Sequence, residues 1–523
     1  MKSRIVWKAL LLVCLVCQRA NAHEGLAKSI EGVINGPDFK QARWGILVVD
    51  AQTGKSIYEH DADRLFLPAS TTKLYSCATA LAAFGPDYRF ETPVYRRGEV
   101  KNGKLTGDLI LVAAGDLTLG GRTDPSGKMA FTNHDHIYAN GDTRATLTDT
   151  DPLSGLKELA RQIKAVGITR VSGEVLIDDR LFNHARGSGS GPVVVTPILV
   201  NDNVVDALIT PSEKADEPAD VRMRPETAFI RMDAQVSTVA EGRPVRLTIE
   251  EAGPNAFTIR GQIPIKAKPW VRIFPVFDPA GFARALFIET LRQEGVAVDA
   301  SPLRPPQAEP PDRDGYGKLT RVATFKSPPF SEAIKVTLKV SHNLYASTLP
   351  ALVASKHGKR TLAEGLHFQR TFLADLGVPV ETISFGGGAG GANADSVTPR
   401  ATVKLLQSLA KRPDYPVFRD ALPILGVDGT LHDAVTPDSP VRGKVHAKTG
   451  TLMWHDFMND RLLLRSKALA GTLTTAGGRE LIVSMFVNDV PLPKGVQTTR
   501  EGKVLGKLCE IIHLNVPNER AAP

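Results

Sequence analysis

Three short strings stand far apart in this chain of 523 residues: Ser70-Thr71-Thr72-Lys73, Ser341-His342-Asn343 and Lys448-Thr449-Gly450. A serine hydroxyl is a poor nucleophile and needs an adjacent base. Positions i and i+3 share a helix face, so a helix over the first string brings Lys73 within reach of the Ser70 hydroxyl. For Ser341 and Lys448 to join that pair, about 270 residues must leave the site and return to it. A single compact domain needs less chain than that. We therefore read residues 23–90 and 321–523 as one discontinuous domain. Residues 91–320 become an insertion that stands off as a separate body and is β-rich over about 200–270.

Local patterns fill in this frame. A helix is expected near Leu26–Ile34, then strands over Trp44–Asp50 and Ser56–Glu59 joined by the turn 51–55. Pro68 and the helix formers behind it place Ser70 at the start of a helix running to about Ala83. The N–H groups and dipole at such an end favour developing negative charge. Inside the insertion, Lys104–Ala113 and Thr169–Asp178 read as strands and Leu153–Val166 as an amphipathic helix. Short alternating strands follow from Asp206 to Ile265, then a helix over Pro279–Glu294 and a Pro-rich loop over Ser301–Gly317. Helical patterns cover Phe330–His357 and Leu362–Leu376. The strands Ala468–Thr474 and Glu480–Val487, joined through Gly477-Gly478, close the chain. The fold class is α/β (α+β): an antiparallel sheet flanked by helices, with a large two-part insertion.

The chain opens with Lys2, Arg4 and Lys8, an apolar run from Ala9 to Cys17, and Ala20-Asn21-Ala22. Residues 1–22 read as a secretory signal peptide cleaved after Ala22, so the mature protein is expected to be periplasmic or extracellular. The rival, an uncleaved anchor, has too short an apolar run to span a bilayer. Cleavage removes Cys14 and Cys17 and leaves Cys77 and Cys509. One disulfide is open to them in an oxidising compartment, but Cys77 lies on an apolar helix face and reads as a buried free thiol. The net charge of +8 falls to +4 once Lys2, Arg4, Lys8 and Arg19 are lost. That is too mild to argue for nucleic acid, and it suits peripheral association with an anionic wall or membrane.

The three strings, in this order, form the set S-x-x-K, S-x-N and K-T-G of penicillin-binding proteins and serine β-lactamases. Around them stand Leu67–Lys73, Gly107–Leu119, Val340–Ala346, Leu422–Leu431 and Lys444–Leu452. On these strings the chain resembles the class C low-molecular-mass penicillin-binding proteins, D-alanyl-D-alanine carboxypeptidases/endopeptidases similar to penicillin-binding protein 4. The resemblance spans nearly the whole mature chain. The long insertion separates this family from β-lactamases, and the resemblance implies that it forms two domains, the β-rich part over about 200–270 nested in the other. The resemblance also implies that peptidoglycan peptides and β-lactam antibiotics acylate Ser70, with Lys73 taking its proton. Ser341 and Lys448 would complete a proton path, and Asn343 would orient the substrate amide and the lysine. Lys448, Thr449 and Thr451 would hold the terminal carboxylate of a substrate lying along the Thr449-Gly450-Thr451 strand, with the Ser70 and Thr451 N–H groups as oxyanion hole. No metal or organic cofactor is implied.

Blander readings stand beside these. Ser70 can serve only as a helix cap, Asn343 as a turn residue and Lys448 as an edge-strand lysine. His134-Asp135-His136 invites a metal, but two His and one Asp on a polar loop are more often solvated. His342, His446 and His455 lie near the motifs without the carboxylate spacing of a Ser-His-Asp triad, and read as lining residues. Three departures from the family pattern bear on substrate preference. Phe385-Gly386-Gly387-Gly388-Ala389-Gly390-Gly391 lacks the family's serines, Ser347 replaces an acidic residue, and Trp454–Arg465 lengthens the connection after K-T-G. Beside an active serine DD-peptidase, two alternatives remain. One is a non-catalytic peptidoglycan-binding protein that kept the fold; the other is a serine β-lactamase, for which no separate carboxylate base is evident.

Overall fold

The computed structural model describes residues 24–516, so the expected leader lies outside the described residues. Its central sheet has five strands in the order Val445–Asp456, Arg461–Thr474, Glu480–Pro491, Arg43–Asp50, Ser56–His60, all antiparallel. Arg43–Asp50 and Glu480–Pro491, the first and last strands of the described residues, thus pair with each other. Side chains alternate across a strand, and both faces here are covered. Ile46 and Val48 join an apolar core with Leu26, Ile30, Leu508 and Ile512, from the helices 24–34 and Thr499–Asn515. Leu47 and Val49 point the other way, into a core with Leu74, Tyr75, Leu349 and Leu406. That is why Arg43–Asp50 reads as a continuous apolar run and not as an alternating one.

The chain leaves this body along Glu91–Lys101 and comes back along Thr320–Lys326, and the two pair antiparallel with Lys326 opposite Glu91. Exit and return are neighbours, so the insertion closes on itself without pulling the catalytic strands apart. Between them lie the rest of a six-stranded sheet, the helices Ser154–Ala165 and Pro279–Gln293, and two three-stranded sheets drawn from Val204–Pro275. These share an apolar core of their own.

The insertion does not stand off as a separate body. Leu117, Met129, Phe182, Val195 and Leu199 belong to the same core as Leu74 and Leu349 of the helical cluster. Apolar side chains on the connecting loops had no neighbour to bury against in the sequence reading, and the fold supplies one. Two local expectations also change. The helical pattern Phe330–His357 is two helices, Phe330–Lys339 and Asn343–Lys356, broken at Ser341, whose φ is +64°. His342 makes the break stable: its N–H donates to the Thr337 carbonyl, and its ring accepts from the Tyr345 N–H as N-cap of the second helix. The lengthened connection after K-T-G is not a loop. It is a continuation of both strands into a long hairpin, whose tip leaves Phe457 and Met458 exposed.

Candidate active site

Ser70 sits in a single 3-10 turn, Ala69–Thr71, that feeds directly into the helix Thr72–Phe84. The turn is held from behind by the sheet. Leu67 N–H donates to Asn488 Oδ1 at 2.8 Å, and the Ser466 hydroxyl donates to the Leu67 carbonyl at 2.7 Å. In front, the K-T-G strand passes so close that a Cβ on Gly450 would lie 2.6 Å from the Pro68 carbonyl oxygen. A side chain at Gly450 would therefore push the strand away from Ser70.

Lys73 follows one turn on, as the i, i+3 spacing predicts. Its Nζ donates to Ser70 Oγ at 2.8 Å, to Asn343 Oδ1 at 2.8 Å and to the Ala389 carbonyl at 3.0 Å. Lys448 Nζ donates to Ser341 Oγ at 2.9 Å and to the Thr449 carbonyl at 2.8 Å. All five candidate catalytic residues, Ser70, Lys73, Ser341, Asn343 and Lys448, thus meet in one place. Ser70, Ser341 and Asn343 line a cleft of about 270 Å³ together with Thr430, Thr449 and Thr451. The Thr430 and Thr449 hydroxyls are 2.7 Å apart, so the LGVDGTL string lends a hydroxyl to the site.

The electrostatics follow from burial. Lys73 and Lys448 are both fully buried, and neither has a carboxylate among its hydrogen-bond partners. Desolvation disfavours the charged amine. It brings Lys73 down to about 7, against a smaller opposing influence from the Cys77 thiol. Lys448 is held well below its ordinary value, first by burial and then by the nearby Lys73. A neutral amine 2.8 Å from a serine hydroxyl can accept its proton. Cys77 is itself a buried free thiol, as expected, and so is Cys509; they lie in different cores and do not pair.

The glycine-rich loop takes part through its backbone. Besides the Ala389 carbonyl on Lys73, the Gly388 carbonyl accepts from the Ser76 hydroxyl at 2.8 Å. Gly390 has φ +81°, and a Cβ there would lie 1.8 Å from the Ala69 carbonyl oxygen, so only glycine fits beside the nucleophile turn. Buried Asp395 anchors the loop through the N–H groups of Gly386 and Ala392. No sequence signal marks a backbone carbonyl as a lysine ligand, so Ala389 was not legible there.

His134-Asp135-His136 corrects the sequence reading. His134 is only partly buried, but Asp135 and His136 are buried in an ionic cluster with Arg122, Asp202 and Asp206. Asp135 and His136 are scaffold rather than solvated loop residues; among the described residues no group of His, Cys, Asp and Glu has the arrangement of a metal site. A local string cannot show that Arg122 and Asp202 will pack around it. Of the other histidines, His342 is buried against Asp202, His446 is partly buried and His455 is exposed. None is hydrogen-bonded to the Ser70 hydroxyl, whose partner is Lys73.

The fold and the serine–lysine site together define the class: the penicillin-binding-protein/β-lactamase-like fold. The D-Ala-D-Ala carboxypeptidase 3 (S13) family profile matches residues 26–505, and the chain belongs to that family. It is a serine-type carboxypeptidase similar to penicillin-binding protein 4. It is 28% identical over 456 residues to the D-alanyl-D-alanine carboxypeptidase of Actinomadura sp. (strain R39), covering 82% of this chain and 76% of the relative. It is 25% identical over 475 residues to the D-alanyl-D-alanine carboxypeptidase DacB of Haemophilus influenzae, covering 85% of each. The crystal structure of penicillin-binding protein 4 from Haemophilus influenzae superposes with a TM-score of 0.68 at 21% identity, over 92% of this chain and 97% of that one.

Proposed function

We propose that this protein is an exported, penicillin-sensitive serine DD-peptidase that cleaves D-alanyl-D-alanine termini or D-Ala cross-links in peptidoglycan. The observation that carries the reading is the buried Lys73 amine, without a counter-ion, on the Ser70 hydroxyl at 2.8 Å. The neutral amine takes the Ser70 proton as Oγ attacks the carbonyl of the penultimate D-alanine. The developing oxyanion is received by the N–H groups of Ser70 and Thr451. As the tetrahedral intermediate collapses, the C–N bond breaks and the Ser341 hydroxyl protonates the departing amine. The proton that Lys73 took from Ser70 is passed along the Lys448–Ser341 path to replace it, so Lys73 and Lys448 both end as neutral amines. Asn343 keeps Lys73 and the substrate amide in register, and Thr449 and Thr451 hold the terminal carboxylate. Water then hydrolyses the acyl-enzyme.

The domain reading belongs to the same proposal. Residues 23–90 and 321–523 form the catalytic domain, and the inserted domains of residues 91–320 wall one side of the cleft and shape access for long or cross-linked peptides. Residues 1–22 direct export.

A fluorescent penicillin, followed by peptide mapping and digestion of purified wall fragments, tests this. The label is expected on the peptide containing Ser70, with release of D-alanine or cross-link cleavage. A label on another serine overturns the site. No label and no turnover point to a binding protein that kept the fold, and rapid loss of the label points to a β-lactamase.

A further inference from the structure

We propose that Tyr138 and Asp202, both in the insertion, are positioning residues that hold Ser341 and Asn343 in register with Ser70 and Lys73. This rests on the DD-peptidase reading for its kinetic consequence, though not for its geometry.

Ser341 lies in the left-handed region at φ +64°, a conformation that a serine adopts only where its surroundings impose it. Two arms reach it from the insertion. The first is Tyr138, at the end of the 3-10 turn His136–Tyr138, whose hydroxyl donates to the Ser341 carbonyl at 2.5 Å. The second is Asp202. The His342 ring accepts at Nδ1 from the Tyr345 N–H, which leaves the proton on Nε2, and that nitrogen faces Asp202 Oδ1 at 3.4 Å. The Tyr345 hydroxyl donates to the same carboxylate oxygen. The two rings stack with centroids 3.6 Å apart. Asp202 thus holds Tyr345, in the first turn of the helix that begins at Asn343, and Tyr345 in turn stacks on His342, the residue after Ser341.

Both arms are mounted on one rigid base. Arg122 donates to Asp202 Oδ2 at 2.6 and 3.0 Å and to both oxygens of Asp135 at 2.8 Å. His136 bridges Asp202, at 2.9 Å, and Asp206, at 2.6 Å. Asn201, Asp202 and Asn203 all have positive φ, so the turn that presents Asp202 is itself held in an uncommon shape. Tyr138 lies two residues from His136, and therefore both arms move only if this cluster moves. The insertion is part of how the Ser-x-Asn string is set, besides walling the cleft.

The test is a pair of variants, Tyr138→Phe and Asp202→Asn, in the full-length mature protein. Penicillin acylation is split into the initial binding constant and the first-order acylation rate constant. Hydrogen exchange of the 338–347 segment is followed in parallel. Both variants are expected to slow the acylation step by about tenfold or more, since misplacement by a fraction of an ångström reaches that size, with initial binding little changed. Exchange should quicken at 338–347 and stay unchanged in the central sheet. A loss of stability alone does not produce that split in protein that is still folded. If Asp202→Asn does not fold, Tyr138→Phe decides. Unchanged acylation and unchanged exchange in Tyr138→Phe overturn the proposal. Should wild-type protein take no label at Ser70, the DD-peptidase reading fails, and exchange alone then supports or overturns the positioning role.

Discussion

Two buried polar regions meet at the Ser341 turn, and they treat charge in opposite ways. In the cleft, Lys73 and Lys448 are buried without carboxylate partners, and burial drives both toward the neutral amine. In the insertion, Arg122 and His136 are buried against Asp135, Asp202 and Asp206. There the counter-charges prevail over burial: His136 rises to about 10 and Asp202 sits well below the usual carboxylate range. An unpartnered buried amine is driven toward its neutral form, whereas a partnered cation keeps its charge. The same burial therefore serves reactivity in one region and rigidity in the other.

The sharpest way to break this contrast is at the nucleophile. Ser70→Ala should abolish covalent attachment of penicillin, read by mass spectrometry of the intact protein; a retained adduct would put the reactive group elsewhere. Lys73→Ala should slow acylation by about 10²–10⁴-fold, the range for losing a general base. Stopped-flow labelling that finds less than a tenfold change would remove Lys73 from that role.

On the scaffold side the effect is on stability. Asp135→Ala leaves Arg122 buried with one carboxylate fewer, and breaking a buried pair costs about 3–5 kcal/mol. Denaturant unfolding measures it. A change below about 1 kcal/mol would mean that water or rearrangement satisfies Arg122, and that the cluster is softer than its distances imply.

The smallest effects are those of pH. The acylation rate should climb through a midpoint near 7, as Lys73 loses its proton, and then level off. Stability should follow the same group with a definite sign. The unfolded chain keeps the Lys73 proton up to about its ordinary value, while the folded protein releases it near 7, so stability gained from this residue rises with pH above 7. The slope is at most about 1.4 kcal/mol per pH unit. Lys73→Met should remove that rise. The ionic cluster should contribute the reverse: His136 stabilises fully below its free value, and this is lost steadily from there until pH passes about 10. Melting curves of wild type and Lys73→Met between pH 6 and 9 that run parallel would refute the assignment of a depressed lysine.

Much of the molecule was legible locally. The strands Arg43–Asp50 and Glu480–Pro491, the amphipathic helix Ser154–Ala165 and the helix Pro279–Gln293 follow apolar periodicity and turn residues, and the structure has them within a few residues of the expected bounds. The break at Ser341 was not legible, because apolar residues run through it at helical spacing. Only the left-handed Ser341, the His342 cap and the two arms from the insertion set it.

What the sequence determined by itself is the chemistry. Ser70 and Lys73 sit one helical turn apart, and helix geometry alone brings an amine to that hydroxyl; the order of the three strings then named the class. What only the tertiary structure decided is the state of those groups. Burial of Lys73 without a counter-ion shifts it toward the neutral amine, and the Ala389 carbonyl holds its Nζ in place. His134-Asp135-His136 shows the same limit from the other side. Three polar residues on a loop look solvated until Arg122 and Asp202, distant along the chain, close around two of them. Charge state depends on what lies within a few ångströms in space, and a sequence lists neighbours only along the chain.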